Sequence, residues 1–238
     1  MSEDFAVDRV APAVLEMLSS VSTATLSSAL HRRGYHQLFM RGVTPLRPDL
    51  SMAGQAVTLR YIPSRPDLER TGEFNNLTNK QRIAVERVGP ADVLVIDARG
   101  NTDAGSLGNI LATRIMHRGA AGIVTDGAFR DSPDIRTIDL PTYAKAQHAN
   151  ISFTVHHPVD LNVPIACGGV AVLPGDVVVG NGEGVIVVPR ALAEEVAQEA
   201  YEQERKEQFI LSKIEGGSSI IGVYPPDENT LREYEAWK

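Results

Sequence analysis

Cysteine is almost absent from this chain of 238 residues, which has a single one, Cys167. One cysteine cannot form an intramolecular disulfide, and no Cys/His spacing typical of a zinc site surrounds it. We therefore expect a reducing compartment, and we interpret Cys167 as a small buried hydrophobe and not as a nucleophile.

Long apolar runs are also missing, because none approaches the roughly 18 residues that a membrane span requires. The residues after Met1 are polar or acidic and have neither the basic segment nor the apolar core of a signal peptide. These absences predict a cytoplasmic protein without a membrane partner.

The chain also lacks an excess of basic charge, since it has 23 Lys and Arg against 30 Asp and Glu and a formal net charge of -7. Nucleic-acid binders usually carry a net basic patch, so we expect no nucleic-acid partner. A small anionic substrate remains compatible with this composition, because a few arginines in a cleft can outweigh the global charge locally.

What the chain does have is an alternation of helical and strand-like segments, with 43% hydrophobic residues to form a core. The periodicity predicts helices over residues 10–18, 24–30, 80–88, 107–116, 191–214 and 228–237. It predicts strands over residues 54–62, 93–96, 123–125, 140–143, 153–156, 165–172, 177–179 and 185–188. Without a repeat or a clear linker, the pattern indicates one α/β domain over residues 1–238, with a βαβ unit at residues 93–125.

Two loops of this βαβ unit follow strands and should meet at the carboxyl edge of the sheet, where α/β proteins bind ligands. The first contains a Gly-rich turn at residues 105–109 that leads into a helix, whose free N–H groups favour an anion. The second ends in Arg130 and Asp131, a planar donor for a carboxylate and a hard oxygen ligand for Mg²⁺ or Mn²⁺. Together they could hold a small 2-oxo acid, although a surface ion pair beside ordinary turn glycines has the same spacing.

Several segments are similar to one known family: STATLSSAL at residues 22–30, GSLGNIL at 105–111, RGAAGIVTDGAFRD at 118–131, NVPIACGG at 162–169 and PGDVVVGNGEGVIVVP at 174–189. They resemble the RraA-like family, which includes 4-hydroxy-4-methyl-2-oxoglutarate / 4-carboxy-4-hydroxy-2-oxoadipate aldolases and ribonuclease E regulators. The resemblance covers roughly residues 20–190, and GxxGxVxDGxxRD is its most specific motif.

The resemblance implies a three-layer α/β/α fold with a mixed central sheet and a long C-terminal helix, assembled as a homotrimer or homohexamer. It also implies a metal-dependent lyase of the class II aldolase or decarboxylase type, with Mg²⁺ or Mn²⁺ as cofactor and its sites between subunits. By the same resemblance, Arg130 binds the pyruvyl carboxylate and Asp131 binds the metal.

Further site residues are implied by the family and not by spacing. Backbone groups at Gly108, Ile110 and Leu111 are expected to hold the substrate. Glu204 of a neighbouring subunit is expected to act through metal-bound water, and Glu202 is the next candidate.

The sequence departs from the aldolase pattern at Asn109, where the aldolases have an aspartate that acts in catalysis and on the metal through water. An amide can still accept a hydrogen bond from water, but it brings no charge and cannot act as a base. Ser28 also differs from the aspartate of many relatives, and the loop at residues 65–76 is long. We interpret Ser28 as a small structural change, whereas Asn109 and the long loop leave open a metal-dependent hydrolase or dehydratase of a sugar-derived 2-oxo acid. The resemblance to the ribonuclease regulators leaves open a non-catalytic binding protein.

The adjacent histidines His156 and His157 point to opposite faces if they lie on a strand, so at most one of them could face a site. We interpret both as structural residues.

Overall fold

The computed structural model describes residues 7–68 and 75–238, so the long loop at residues 65–76 lies partly outside the described residues. Within these ranges the helices are α1 (Pro12–Ser19), α2 (Thr23–Arg32), α3 (Lys80–Arg87), α4 (Asn109–His117), α5 (Ser132–Ile135), α6 (Ala193–Glu215) and α7 (Glu228–Trp237). Two short 3-10 helices are present at Ser152–Thr154 and Arg190–Leu192.

The strands in the same ranges are β1 (Thr44–Pro45), β2 (Met52–Pro63), β3 (Asp92–Asp97), β4 (Gly105–Leu107), β5 (Gly122–Thr125), β6 (Ala128–Phe129), β7 (Thr142–Ala144), β8 (Ala146–Gln147), β9 (His156–Leu161), β10 (Ile165–Cys167), β11 (Val170–Val172), β12 (Val177–Asn181) and β13 (Gly184–Val188). Most of them join one large sheet in the order β1-β7-β5-β3-β2-β12-β13, and β9 pairs with β2.

The large sheet is mixed and nearly closed. Strands β2, β3, β5 and β7 pair in parallel, whereas β1, β9, β12 and β13 join it in antiparallel fashion. The two ends of the sheet approach each other, because a Cβ on Gly184 of β13 would lie 3.2 Å from the carbonyl oxygen of Val43, next to β1. A separate parallel sheet of β4, β6 and β8 lies beyond the carboxyl end of the large one.

Helices flank the sheet in two groups, and each group buries apolar side chains against it. Helices α3, α4 and α5 pack over β2, β3 and β5, while α1, α2 and α6 pack over β12 and β13. The opposite face of the same strands packs against the β10–β11 hairpin in a third apolar cluster. Strands β3 and β5 are accordingly buried almost throughout, as their apolar sequences predict.

Three helix starts follow from local capping, in which a side-chain oxygen accepts a backbone N–H of the first turn. Ser22 accepts from Thr25 at the start of α2, and Asp227 accepts from Thr230 at the start of α7. Asn79 does the same for α3. Helix α7 therefore has the bounds that the sequence predicts.

Among the predicted elements that differ from the structure, two lie next to the site, and long-range pairing explains one of them. The helix expected from residue 107 begins at Asn109, because Gly105–Leu107 is a strand that pairs in parallel with Ala128–Phe129. The strand expected over residues 153–156 is a 3-10 helix at Ser152–Thr154, and pairing with β2 starts only at His156.

The predicted α/β class with a mixed central sheet is confirmed, and the long C-terminal helix is present as α6, which extends over 23 residues. Among the described residues no single helix is long and apolar enough to cross a membrane. Helices α1 and α2 meet that requirement only when taken together, and they are bent by 111° at the break between them.

Candidate active site

A cavity of about 320 Å³ opens beyond the carboxyl ends of the parallel strands, between α3, β4, the start of α4 and the start of β9. Arg130 and Asp131 line it, together with the predicted substrate-binding residues Gly108, Ile110 and Leu111. The fold thus brings two loops that are about 20 residues apart in sequence to one concave surface, as expected for a ligand site of an α/β protein.

The backbone of Arg130 is fixed by close contact with β4. Its N–H donates to the carbonyl oxygen of Leu107 over 2.9 Å. A Cβ on Gly105 would lie 2.6 Å from the Cβ of Arg130, which is closer than real Cβ contacts allow. Glycine at position 105 is therefore what lets the Arg130 loop approach the strand.

Asp131 stands next to this arginine in a left-handed conformation, with φ 58°. It is the N-cap of α5, but only its carbonyl oxygen bonds the helix, accepting from Asp134 and Ile135, and its carboxylate makes no cap bond. The carboxylate instead lies 3.4 Å from Nε of Arg130, and a Cβ on Gly108 would be 3.0 Å from its Oδ2 atom. This costly conformation turns the carboxylate toward the start of α4.

The start of α4 supplies backbone donors to the same cavity. Gly108 is the N-cap and has no side chain to occupy the first-turn N–H groups. The N–H of Leu111 bonds the carbonyl of Gly108 at 3.2 Å, whereas helix geometry gives the N–H of Ile110 no partner inside the helix. An anion at this position would gain both a hydrogen bond and the favourable end of the helix dipole.

Asn109 lies beside this cavity, but its side chain is directed along the helix. Its Oδ1 atom accepts a hydrogen bond from the hydroxyl of Thr113 at 3.2 Å. The cavity is lined by the residues on both sides of Asn109 and not by Asn109 itself. Its water-mediated contact to a metal remains a prediction.

The two glutamates predicted from α6 have partners within their own chain. Glu204 accepts from the backbone N–H of Ser22 at 3.3 Å and from its hydroxyl at 3.2 Å. Glu202 accepts from the Tyr234 hydroxyl at 2.9 Å, and Lys238, followed by that hydroxyl, lowers the pKa of its carboxyl. Neither lines the cavity of its own chain, and a contribution to a neighbouring subunit remains a prediction.

Arg82 is a cavity residue that the sequence alone does not identify. It lies in the first turn of α3, where its backbone N–H donates to the side chain of Asn79 at 3.2 Å. A cation in the first turn faces the positive end of the helix dipole. Lys80 is in the same first turn but does not line the cavity, so first-turn charge alone does not single out Arg82, and the packing of α3 decides which residue faces the cavity.

His156 also lines the cavity, and of the two adjacent histidines it is the one that is fully buried. Its Nδ1 atom lies 3.2 Å from the Arg99 guanidinium and its Nε2 atom 3.4 Å from the carbonyl of Ala104, while its ring stacks on Tyr61. Burial, reinforced by the charge of Arg99, lowers the pKa of His156. The ring is therefore neutral at pH 7, and the Arg99 contact puts its proton on Nε2.

Asp126, the first acid of the GxxGxVxDGxxRD motif, has a structural role. Its carboxylate is buried and accepts the backbone N–H groups of Ala98 at 2.8 Å and Gly100 at 3.0 Å. Burial raises the pKa of this carboxyl. Asp126 therefore ties the loop after β3 to the loop after β5.

The donor set is suited to a metal that has few protein ligands. Across residues 7–68 and 75–238, no three His, Cys, Asp or Glu side chains cluster closely enough to hold an ion by themselves. Mg²⁺ often binds through one or two carboxylates, with water and substrate oxygens as its other ligands. The uncapped carboxylate of Asp131 fits such an ion, whereas a centre with three ligands from the described part of the chain does not fit.

Comparison with known proteins finds relatives by sequence and by fold. A protein of Halalkalibacterium halodurans named "Putative 4-hydroxy-4-methyl-2-oxoglutarate aldolase" is 33% identical over 142 residues, which are 59% of this chain and 67% of that protein. The structure of Streptomyces coelicolor RraAS2, an unusual member of the RNase ES inhibitor RraA protein family, has a TM-score of 0.77 at 34% identity and covers 86% of this chain and 98% of that one.

An uncharacterized protein from Pseudomonas syringae has the same fold, with a TM-score of 0.79 at 25% identity over 92% of this chain and all of that one. The family described as Aldolase/RraA matches residues 23–187, which include β2 to β12, the cavity and the Arg130-Asp131 pair. The chain therefore belongs to the RraA-like family.

Proposed function

We propose that this protein is a divalent-metal-dependent lyase of the class II pyruvate aldolase type. It would cleave a 4-hydroxy-2-oxo acid, or decarboxylate oxaloacetate, to give pyruvate. The observation that carries the proposal is the convergence of Arg130, Asp131 and the start of α4 on one cavity. The name of the Halalkalibacterium halodurans relative supports the same reaction class.

Arg130 anchors the substrate in this proposal. Its guanidinium can donate two parallel hydrogen bonds to the carboxylate next to the keto group. The N–H of Ile110 at the start of α4 can donate to the same end of the substrate, and the N–H of Leu111 can do so if it leaves Gly108. This anchoring fixes the keto group near Asp131.

Asp131 would hold Mg²⁺ or Mn²⁺, and the ion would supply Lewis-acid polarisation of the keto oxygen and stabilise the developing enolate. The guanidinium of Arg130 lies 3.4 Å from the Asp131 carboxylate and helps to orient it. His156 forms a wall of the cavity and is given no part in proton transfer, because both of its ring nitrogens are engaged with protein groups.

The decisive experiment is a pyruvate-release assay with oxaloacetate and with 4-hydroxy-4-methyl-2-oxoglutarate. Activity should disappear with EDTA, return with Mg²⁺ or Mn²⁺, and be lost in the Arg130→Ala variant. Arg114→Ala is the matched control, because Arg114 pairs with Glu86 on the surface. Pyruvate release that persists after EDTA or in Arg130→Ala would reject the proposal.

The second candidate is a non-catalytic binding protein like the RNase inhibitors of the family. The ribonuclease regulators that the sequence resembles lack the acid after the arginine, so Asp131 favours an enzyme. Metal-independent capture of a ribonuclease, without pyruvate release, would favour this candidate.

The third candidate is a metal-dependent hydrolase or dehydratase of a sugar-derived 2-oxo acid. It follows from Asn109, which stands where the aldolases have an aspartate. We further propose a cytoplasmic homotrimer or homohexamer. Light scattering would measure the assembly.

A further inference from the structure

We infer that Gln81 is a substrate-binding residue, whose side-chain oxygen accepts a hydrogen bond from a hydroxyl group of the substrate. This inference rests on the proposed function, in which Arg130 anchors the carboxylate next to the keto group. It goes beyond that function because it assigns recognition of a hydroxyl to a residue of α3, outside the GxxGxVxDGxxRD motif.

The orientation of the Gln81 amide is fixed by its neighbours. Gln81 is buried, and its Nε2 atom donates to the Tyr61 hydroxyl oxygen at 2.9 Å and to the carbonyl oxygen of Ser106 at 2.7 Å. A carbonyl oxygen cannot donate, so the amide atom that faces Ser106 must be the nitrogen. The Oε1 atom of Gln81 therefore lies on the other side of the amide and cannot exchange places with Nε2.

This Oε1 atom is left with the capacity to bind a ligand. An amide oxygen has two lone pairs, yet no residue in the described ranges donates to this one. It is also not among the buried side-chain atoms of those ranges that lack a hydrogen bond, so it retains exposed surface. Because Gln81 is otherwise buried and lines the cavity, that surface faces the cavity.

The chemistry of the cavity suits a neutral acceptor at this place. In the proposed function Arg130 donates to a carboxylate and Asp131 holds the ion, while both ring nitrogens of His156 are engaged with protein groups. A substrate hydroxyl is a donor and loses its hydrogen bonds to water when it enters the cavity, so an acceptor there compensates that loss. An amide oxygen does not take up the proton, so Gln81 orients the hydroxyl and is not the base.

Strand β4 connects this acceptor to the anchoring arginine. Gln81 bonds the carbonyl of Ser106, and the backbone N–H of Arg130 bonds the carbonyl of the next residue, Leu107, at 2.9 Å. The two side chains are thus held by adjacent peptide groups of one strand. A cavity of about 320 Å³ is near the lower end of ligand sites, so a small acid that binds Arg130 shares this space with Oε1 of Gln81.

The test uses two acids that differ only in one hydroxyl group, 2,4-dihydroxybutanoate and 2-hydroxybutanoate of the same configuration at carbon 2. Neither has a keto group, so neither undergoes retro-aldol cleavage and both report binding alone. Calorimetry in the presence of Mg²⁺ should show that the wild type binds the dihydroxy acid about 2- to 10-fold more tightly, as expected for one neutral hydrogen bond.

In Gln81→Leu the ratio of the two Kd values should fall to about one. A purely structural effect of this substitution would raise both Kd values by the same factor and leave their ratio unchanged, so the ratio isolates the contact with the hydroxyl. Gln81→Glu keeps an acceptor oxygen and should keep the preference for the dihydroxy acid, although its negative charge should weaken both acids.

Gln198→Leu is the matched control, because it makes the same change in a helix at an exposed residue that does not line the cavity, and it should leave both Kd values unchanged. Arg130→Gln should weaken both acids equally, and if it weakens neither, the proposed anchoring fails independently of Gln81. Equal affinity of the wild type for the two acids, a measurement that needs no variant, would overturn the inference, as would an unchanged ratio in Gln81→Leu.

Discussion

Gly105 lies so close to Arg130 that a Cβ at position 105 would be 2.7 Å from the Arg130 backbone nitrogen. This contact joins the Gly-rich segment and the Arg-Asp pair, which the sequence presents as separate features. Glycine at position 105 allows the backbone of Arg130 to pack against β4. The N–H groups at the start of α4 are the ones that could bind a ligand.

Gly105→Ala should therefore displace the Arg130 loop. We expect a loss of about 1–3 kcal/mol in the free energy of unfolding, as for overpacking elsewhere, together with a loss of oxalate binding. Gly89→Ala is the control, because a Cβ there would meet no atom within 4 Å. Denaturant unfolding and calorimetry measure both effects, and normal oxalate binding by Gly105→Ala would contradict the assigned role.

Asn109→Asp should bind Mn²⁺ more tightly, roughly tenfold, because it adds a carboxylate beside Asp131 where the aldolases have one. The same charge at the first turn should stabilise α4 by about 0.3–1 kcal/mol. Titration with Mn²⁺ followed by electron paramagnetic resonance measures the affinity, and turnover is measured in parallel. Thr113→Ala tests whether the hydroxyl of Thr113 holds Asn109 away from the ion. Unchanged affinity in Asn109→Asp would remove residue 109 from the metal site.

Glu204→Gln separates a structural role from a role in the neighbouring subunit. Because Glu204 accepts two hydrogen bonds from Ser22 at the start of α2, its loss should cost about 1 kcal/mol of stability. If Glu204 also completes a neighbour's site, activity should fall at least tenfold. Mixed oligomers with inactive Arg130→Ala subunits should then recover activity. Activity that remains normal would limit Glu204 to the contact with Ser22.

His156 should make stability fall in mild acid. Since the pKa of the buried ring is lowered, the unfolded chain takes up a proton below its usual pKa of about 6.5 while the folded protein does not. The contribution is thus intact above that pH and declines as the pH falls toward the folded pKa, by at most about 1.4 kcal/mol per pH unit. The charged groups that affect the ring are Arg99 and Asp103.

The measurement is the free energy of unfolding between pH 7.5 and 5.5. His156→Gln should be less stable than the wild type at pH 7.5 but should lose less on acidification. His117→Gln, at an exposed position, should follow the wild type. An identical slope for His156→Gln and the wild type would contradict the assigned titration.

The sequence by itself determined whatever depends on neighbours along the chain. A cap acts over three residues, so the starts of α2 and α7 depend on Ser22 and Asp227, which stand next to them in sequence. Apolar runs likewise identify β3 and β5, because a strand that is buried on both faces consists of consecutive apolar residues. The motif that ends in Arg130 and Asp131 is also a contiguous stretch of sequence, and these two residues line the cavity.

The tertiary structure decided what depends on distant pairing. Strand β4 exists because it pairs with β6, and no periodicity within three residues can reveal that partner. Arg82 reaches the cavity because α3 packs over β2 and β3, whereas Asn109 misses it because its amide bonds Thr113. In both cases the direction of the side chain decides whether the residue lines the cavity, and residue type alone does not fix that direction.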